Sequence, residues 1–304
     1  MIHSFKKLFQ SIINSSKIRS HKHDIKFETL FSVYTSKGKI GEGGVGVVYR
    51  ADDENGKSYA IKIIKQENVT NTRLKRFKNE VFLCMRNTDE NIITLHDYGL
   101  LPRSKDRGIP FYVMPFYAKT LRTLMKEGLT PDKAIKYFIQ ILEGMKNVHA
   151  RGIYHRDLKP ENILYDSQKD ILVVGDFGIA HFCEDYLVAY VETTHNFHLA
   201  NFQYAAPEQR ISGAEVNQKA DIFALGLILN EMFTKRLALG TKYPEIADAD
   251  PDYADLDELV EKMIRHSPEE RPEASNISIW FTLRKSREAW SDKSKSSKTF
   301  NGRE

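Results

Sequence analysis

The stretch His155-Arg156-Asp157-Leu158-Lys159-Pro160-Glu161-Asn162 is the part of this 304-residue sequence on which the prediction of the fold depends. Alone, it is a short polar run that many proteins could contain. It gains meaning from other short motifs that precede and follow it in a fixed order. The downstream motifs are Asp176-Phe177-Gly178, Ala206-Pro207-Glu208, Asp221 with Gly226, and Arg271-Pro272.

A glycine-rich loop lies upstream, where residues 41–48 match the pattern G-x-G-x-x-G-x-V through Gly41, Gly43 and Gly46. Glycines let backbone N–H groups approach phosphate oxygens. Dinucleotide-binding folds share this spacing, but they need a helix after the glycines, whereas residues 47–51 continue as a strand. A P-loop is also excluded, because no Gly-Lys-Ser/Thr closes the motif.

A lysine, Lys62, follows in the otherwise apolar strand Tyr59-Ala60-Ile61-Lys62. The helix after it carries one carboxylate near its middle, Glu80. An ion pair between Lys62 and Glu80 would hold the lysine extended toward nucleotide phosphates. Two solvated surface residues are the alternative, and the neighbouring glycine loop makes that alternative weaker.

Hydrophobic periodicity predicts an α+β fold. Residues 34–64 have the pattern of three antiparallel strands, residues 72–86 that of an amphipathic helix, and residues 91–100 and 111–116 that of two more strands. From residue 118 onward the pattern is mainly helical, and residues 220–233 are apolar on nearly every side, as in a helix buried at the centre of its domain.

In this order the motifs resemble the eukaryotic-type (Hanks-type) serine/threonine protein kinase family, and the economical helical part resembles its compact bacterial members. The resemblance covers residues 34–288. It implies a bilobal fold, with a five-stranded antiparallel sheet and one helix in an N-lobe (31–117) and a mainly helical C-lobe (118–290). The implied activity is transfer of the γ-phosphate of ATP to serine or threonine hydroxyls of protein substrates, including autophosphorylation.

The resemblance also assigns catalytic roles. Asp157 would accept the proton of the substrate hydroxyl, and Asp176 and Asn162 would bind Mg²⁺ or Mn²⁺. Lys159 would contact the transferred phosphate, and a lysine at this position is similar to the serine/threonine branch of the family. Phosphoryl transfer needs such a set because it depends on positioning and on neutralising phosphate charge.

Further residues are expected to bind adenine or to hold the fold. The adenine ring would lie between Val48 and Ala60 on one side and Leu164 on the other. Met114 would be the gatekeeper, with the carbonyl of Pro115 and the N–H of Tyr117 as hydrogen-bonding groups. The expected structural residues are Glu208 and Arg271, as a buried ion pair, and Asp221, as an acceptor for backbone N–H groups of the catalytic loop or as a simple N-cap.

Regulation is expected at Arg156, whose cation would pair with a phosphate on Thr193 or Thr194. The sequence departs from the family pattern at Asn201, where a threonine is usual, and this puts the geometry of peptide binding in doubt. Two non-catalytic or divergent alternatives remain open: a pseudokinase scaffold and a small-molecule kinase of the same fold.

Composition limits the remaining possibilities. Hydrophobic residues make up 41% and charged residues 28%, and no apolar stretch reaches the roughly 18 residues of a membrane span. Two cysteines without metal-ligand spacing favour a reducing compartment, so we expect a cytoplasmic protein. The formal charge of +4 is small, and no nucleic-acid partner is expected.

The two ends have distinct compositions. Residues 1–30 form a basic amphipathic extension, and residues 1–19 would either pack on the protein's own surface or dock on a membrane surface or partner. Residues 291–304 are rich in serine and lysine, which predicts a disordered tail. The oligomeric state is not predicted.

Overall fold

The computed structural model describes residues 25–42, 46–65, 71–102, 108–178, 203–237 and 243–300. They fall into two units, which we call the sheet unit (1–120 and 164–195) and the helical unit (121–163 and 196–304). The extension 1–19, Gly43, Thr193, Thr194 and Asn201 lie outside the described residues.

The main sheet of the sheet unit has six antiparallel strands in the order β1-β2-β3-β4-β6-β5. Its strands are β1 (Lys26–Glu28), β2 (Val33–Glu42), β3 (Gly46–Asp52), β4 (Ser58–Ile64), β5 (Asp97–Leu101) and β6 (Ile109–Pro115). The β3–β4 turn follows its sequence: Gly56 has φ 77°, and the Asp53 carboxylate accepts from Asn55 N and Lys57 N.

The observed sheet has six strands, one more than the five that we predicted, and the additional strand is β1. It begins at Lys26, inside the range 1–30 that we assigned to an extension. Its central residue, Phe27, is fully buried, with its ring 5.2 Å from that of Phe111 and 5.7 Å from that of Tyr49. Three residues with one apolar side chain are too short for a periodic signal.

One long helix, α1 (Asn71–Arg86), accompanies this sheet, as predicted. A second, three-stranded sheet contains β7 (Lys119–Thr120), β8 (Ile163–Asp166) and β9 (Ile171–Val174). Val174 of β9 bonds through its backbone to the connection between α1 and β5: Ile93 N donates to Val174 O, and Val174 N donates to Asn91 O. Strand β9 and residues 164–166 of β8 lie in the sheet unit, whereas we predicted that residues 118–290 form the C-lobe.

The helical unit contains α2 (Leu121–Glu127), α3 (Pro131–His149), α4 (Lys219–Thr234), α5 (Ile246–Ala249), α6 (Asp255–Met263) and α7 (Ala274–Phe300). Pro131 opens α3, and Thr130 caps it by accepting from Lys133 N. Helix α4 is buried on nearly every side, as predicted. A Cβ at Gly226 would lie 2.8 Å from Met263 Cβ, so α4 needs glycine where it approaches the end of α6.

Helix α7 continues to Phe300, through most of the 291–304 tail for which disorder was predicted. The stretch 274–300 contains neither proline nor glycine. A helix that is already nucleated by packing, as at Ile277 and Phe281, can extend through polar residues at little cost. Within the described part of the chain, no helix combines the length and apolar character that crossing a bilayer requires.

Candidate active site

The sheet unit brings Lys62, Glu80 and Asp176 together. Lys62 Nζ lies 2.8 Å from Glu80 Oε1, 3.1 Å from Glu80 Oε2 and 2.7 Å from Asp176 Oδ1. Strand β4 supplies the lysine, the middle of α1 the glutamate, and the segment after β9 the aspartate. The predicted Lys62–Glu80 ion pair is therefore present, and its alternative of two solvated residues is wrong.

Burial and charge act against each other at this cluster. Lys62 is nearly buried and Glu80 is fully buried, while the side chain of Asp176 is half exposed. Burial alone would lower the pKa of Lys62, but the carboxylates of Asp176 and Glu80 outweigh it and raise that pKa well above its usual value. Lys62 thus remains a cation in a water-poor position, which is what an anion-binding lysine requires.

Backbone geometry adapts the chain to this cluster. Asp176 has φ 60°, a left-handed conformation that aspartate tolerates better than most residues. A Cβ at Gly178 would meet Asp176 Oδ1 at 3.2 Å, Lys62 Nζ at 3.6 Å and Glu80 Oε2 at 3.7 Å. Glycine at 178 therefore leaves room for the three charged groups.

The predicted adenine-binding residues Val48, Ala60 and Met114 share one face of the main sheet with Lys62. Val48 pairs with Lys62 across β3–β4, and Ala60 pairs with Met114 across β4–β6. Residues paired across antiparallel strands, and residues two apart along one strand, project to the same face. This face therefore carries apolar side chains beside a lysine, as a nucleotide base and its phosphates require.

The glycine loop approaches the sheet closely at one end. A Cβ at Gly46 would lie 2.5 Å from the carbonyl oxygen of Ile63, so no other residue fits there without moving the backbone. Gly41 has more space, with Val48 Cβ at 3.8 Å. The structure describes two of the three motif glycines, Gly41 and Gly46. Of these two, only Gly46 must be glycine for reasons of packing.

The remaining predicted adenine contacts lie at the ends of strands. Pro115 is the last residue of β6, where a missing N–H costs no central ladder bond. Tyr117 lies two residues after Pro115. Burial, and to a smaller extent the charge of Asp166, raises the pKa of the Tyr117 hydroxyl to about 12. Leu164 lies in β8, paired with Thr120.

The helical unit brings Asp157, Lys159 and Asn162 together. Asp157 Oδ2 accepts from Lys159 Nζ over 2.8 Å and from Asn162 Nδ2 over 3.2 Å, and Asn162 Nδ2 also donates to Asp157 O over 2.8 Å. Asn162 ends a short 3-10 helix (Pro160–Asn162) that folds it back over the aspartate. The carboxylate at Asp157 is thus held in one orientation beside a cation.

Asp221 fixes the backbone just before Asp157. Its carboxylate accepts from His155 N and Arg156 N, both at 2.8 Å, and from His149 Nε2 at 2.8 Å. Burial would raise the pKa of Asp221, but the hydrogen bond and charge of His149 and the contacts to residues 155 and 156 lower it overall. Asp221 lies inside the first turn of α4 rather than at its cap, so the predicted role as acceptor holds and the N-cap alternative is wrong.

Arg156 lies in a strained position, with φ 65°. Its Nη2 donates to Val216 O over 2.5 Å, while its buried Nε has no hydrogen-bond partner among the described residues. Burial lowers the pKa of this guanidinium. The predicted phosphate partners, Thr193 and Thr194, lie outside the described residues, so that pairing stays a prediction.

Glu208 and Arg271 form the predicted buried ion pair. Nη1 and Nη2 of Arg271 bond Oε1 and Oε2 of Glu208 over 2.7 and 2.8 Å. Arg271 also donates to the carbonyls of Arg265, His266 and Lys219, and its guanidinium lies 5.0 Å from the Phe223 ring centre. The arginine thereby ties the chain before α7 to α4 and to the 206–208 motif.

Sequence reasoning missed three groups beside these sites. Tyr112 OH donates to Glu80 Oε1, His149 bonds Asp221, and Arg122 joins Glu161 to Glu231 and the Tyr204 hydroxyl. Their partners are 32 or more residues away along the chain, so no local pattern indicates them. A polar side chain in a run otherwise suited to the core, as at Tyr112, is the one available signal.

The donor atoms available for a metal ion are oxygens. In the sheet unit, Asp176 offers a half-exposed carboxylate. Taken separately, the helical unit offers the amide oxygen of Asn162, whose Nδ2 donates to Asp157. Such hard ligands suit Mg²⁺. The described residues contain no cluster of three or more His, Cys, Asp or Glu that could hold a metal.

Comparison with known proteins agrees with this geometry. Residues 34–281 match the family model described as the protein kinase domain. The chain is 32% identical over 255 residues to a probable serine/threonine-protein kinase of Clostridium acetobutylicum (79% of this chain, 37% of the relative). It is 35% identical over 209 residues to serine/threonine-protein kinase PknD of Mycobacterium tuberculosis (67% and 30%). Mouse mitogen-activated protein kinase 13 is 34% identical over 214 residues (69% and 56%).

These relatives are longer than the matched region, which spans between 30% and 56% of their length. The likeness therefore concerns only part of each relative. The match to the family model extends from β2 into α7 and includes every charged residue of the two clusters described above. The chain belongs to the protein kinase domain family.

Proposed function

We propose that this chain is a protein kinase that transfers the γ-phosphoryl group of ATP to serine or threonine hydroxyls of proteins, its own included. The observation that carries the proposal is the setting of Asp157, whose carboxylate is bonded to Lys159 and Asn162 and whose preceding residues are fixed by Asp221. A carboxylate held in this way can orient a hydroxyl and accept its proton.

Asp157 and Lys159 would act on the substrate. One carboxylate oxygen of Asp157 would take the proton of the substrate hydroxyl while the oxygen of that hydroxyl forms a bond to the γ-phosphorus, and the bond from the γ-phosphorus to the bridging oxygen of ADP breaks. Lys159, 2.8 Å from Asp157, would balance charge on the transferred phosphoryl group. Its type also supports serine and threonine as acceptors, by likeness to that branch of the family.

Lys62 would bind the phosphates of ATP, with Glu80 holding it extended from β4. Val48, Ala60 and Leu164 would contact adenine, Pro115 O and Tyr117 N would hydrogen-bond its edge, and Met114 would limit the space behind it. The glycines at 41, 43 and 46 would let backbone N–H groups reach the phosphates. The shared sheet face of Val48, Ala60, Lys62 and Met114 supports these roles, together with the resemblance to the family.

Asp176 and Asn162 would hold Mg²⁺, or Mn²⁺ in its place. The ion would neutralise phosphate charge and orient the transferred group. Oδ1 of Asp176 also accepts a hydrogen bond from Lys62 Nζ over 2.7 Å. We further propose a cytoplasmic location, which the buried free thiol of Cys84 supports because such thiols persist in reducing compartments.

The test is transfer of labelled phosphate from ATP with Mg²⁺ by wild-type protein and by Asp157→Asn. The matched control is Asp248→Asn, because Asp248 is an exposed carboxylate of the helical unit. We expect transfer to fall by about a thousandfold or more in Asp157→Asn and to be unchanged in the control, since both the base and its charge are lost only in the first. Equal incorporation by wild type and Asp157→Asn would identify a pseudokinase scaffold.

The acceptor is tested with the same assay. Peptide libraries with serine, threonine or tyrosine acceptors are compared with a panel of hydroxylated metabolites. We expect label on serine and threonine peptides and on the protein itself. Label confined to a metabolite would favour a small-molecule kinase of this fold.

A further inference from the structure

The hydroxyl of Tyr112 lies beside the Lys62–Glu80 ion pair but has no role in the reaction proposed above. It donates to Glu80 Oε1 over 3.0 Å, and both side chains are buried. Tyr112 lies on β6, directly opposite Lys62 of β4, so that the two side chains project to the same face of the sheet. Glu80 is therefore bonded from two strands, by an ammonium and by a phenol.

Packing holds the tyrosine ring in this place. The centre of the Tyr112 ring lies 5.3 Å from that of Phe77 and 5.9 Å from Lys62 Nζ. Phe77 precedes Glu80 by about one turn of α1. Charge at Glu80 and burial together raise the pKa of the Tyr112 hydroxyl well above its usual value, with burial the larger cause. The hydroxyl thus keeps its proton and acts as a hydrogen-bond donor.

The supply of N–H donors at this cluster is limited. A lysine ammonium has three N–H groups. Lys62 Nζ makes three contacts with carboxylate oxygens, two to Glu80 and one to Asp176. A phosphate oxygen that takes an N–H from Lys62 must take it from one of these carboxylates.

Glu80 cannot replace a lost donor with water, because its side chain is 0% exposed. A buried carboxylate that loses a hydrogen bond is costly, so Glu80 would resist release of the Lys62 N–H groups. Tyr112 supplies a donor to Glu80 that does not come from Lys62. With that bond in place, Lys62 can turn an N–H toward an anion while Oε1 stays satisfied.

We propose that Tyr112 is a positioning residue for Lys62: its bond to Glu80 frees an N–H of the lysine to bind nucleotide phosphate. This inference rests on the proposed function, because it concerns ATP binding by Lys62. Tyr112 would act through Glu80, to which its hydroxyl donates.

The experiment compares ATP with adenosine as ligands of the full chain. Tyr112→Phe removes the hydroxyl and keeps the ring contacts, so it should fold, which circular dichroism checks. We expect the Kd for ATP to rise about ten- to a hundredfold, the equivalent of one hydrogen bond to a charged group, and the Kd for adenosine to change less than about twofold. Adenosine lacks the phosphates that Lys62 would bind, so a general loss of pocket structure would weaken both ligands.

Two further variants separate the inference from other effects. Tyr34→Phe is the matched control, because Tyr34 is an equally buried tyrosine of the same unit whose hydroxyl bonds a carboxylate elsewhere, Asp97 at 3.4 Å. It should leave the ATP:adenosine ratio of Kd values unchanged. In a Glu80→Gln background, Tyr112→Phe should have less effect on ATP binding than in wild type, because the two residues act through one bond.

Each outcome decides something. Unchanged ATP affinity in Tyr112→Phe, equal weakening of both ligands, or the same shift in Tyr34→Phe would overturn the positioning role and leave the proposed function intact. Wild-type protein that binds neither ATP nor adenosine would overturn the proposed function, and the inference with it.

Discussion

Arg271 and Glu208 lie face to face in the interior of the helical unit, joined by two parallel hydrogen bonds of 2.7 and 2.8 Å. They are 63 positions apart in sequence, and Arg271 is 2% exposed. Each charge is stable in this interior because the other is present.

Removing one partner should therefore destabilise the fold strongly. Arg271→Met should lower the free energy of unfolding by about 3–5 kcal/mol, because it leaves Glu208 as an uncompensated buried carboxylate. Urea denaturation measures the loss. The exposed pair Glu258–Lys262 is the control: Lys262→Met should cost no more than about 0.5 kcal/mol. The double variant Glu208→Leu/Arg271→Met should lose less than Arg271→Met alone, and a larger loss would contradict this account.

Lys62→Met should abolish detectable ATP binding and also destabilise the sheet unit, because Glu80 loses the cation that compensates its burial. Isothermal titration calorimetry measures the first effect and urea denaturation the second. Lys57, which is exposed at the end of the β3–β4 turn, supplies the control Lys57→Met. Equal ATP affinity in wild type and Lys62→Met would be incompatible with a phosphate-binding lysine.

Asp221→Asn should lower stability at neutral pH by about 1–3 kcal/mol per lost acceptor interaction, because an amide N–H2 replaces one of the oxygens that His155 N and Arg156 N contact. The folded pKa of Asp221 is lowered, so its contribution is present above the ordinary aspartate pKa of about 3.9 and is lost as pH falls through the lowered value. The difference between wild type and Asp221→Asn, measured by urea denaturation, should therefore shrink toward pH 3. A difference independent of pH would argue against an ionised Asp221.

Phosphorylation of Thr193 or Thr194 should activate the enzyme through Arg156, whose buried Nε has no hydrogen-bond partner in the part of the chain that the structure describes. Thr193→Ala/Thr194→Ala should lower kcat about tenfold, the equivalent of one charge-assisted hydrogen bond. Phosphatase treatment should lower the kcat of wild type but not that of Arg156→Gln. Mass spectrometry that finds residues 176–208 unmodified in fully active protein would exclude this mechanism.

The predictable parts of the structure are those with a local pattern or a motif. The Lys62–Glu80 pair was predicted because a charged lysine in an apolar strand requires a partner. The helix after that strand carries one carboxylate near its middle, at Glu80. The buried helix α4 followed from its uniform apolar surface. The Glu208–Arg271 pair was expected only from the family resemblance, since nothing local connects residues 63 positions apart.

The parts that were not predicted depend on tertiary contact. Tyr112 resembles any core tyrosine until Glu80 is found 3.0 Å from its hydroxyl. Residues 291–304 were expected to be disordered because composition reports how much apolar surface a segment can bury, whereas helix extension to Phe300 depends on the turn before it.

The short strand β1 has a consequence for how the domain can be delimited. The family model matches from residue 34, yet Phe27 of β1 is fully buried against Tyr49 and Phe111. A protein trimmed to the matched region would lose this side chain from the core and would leave the edge of β2 open to pairing with other chains. The boundary of family similarity therefore lies inside the boundary of the folding unit, and a shortened domain would be prone to aggregation at this edge.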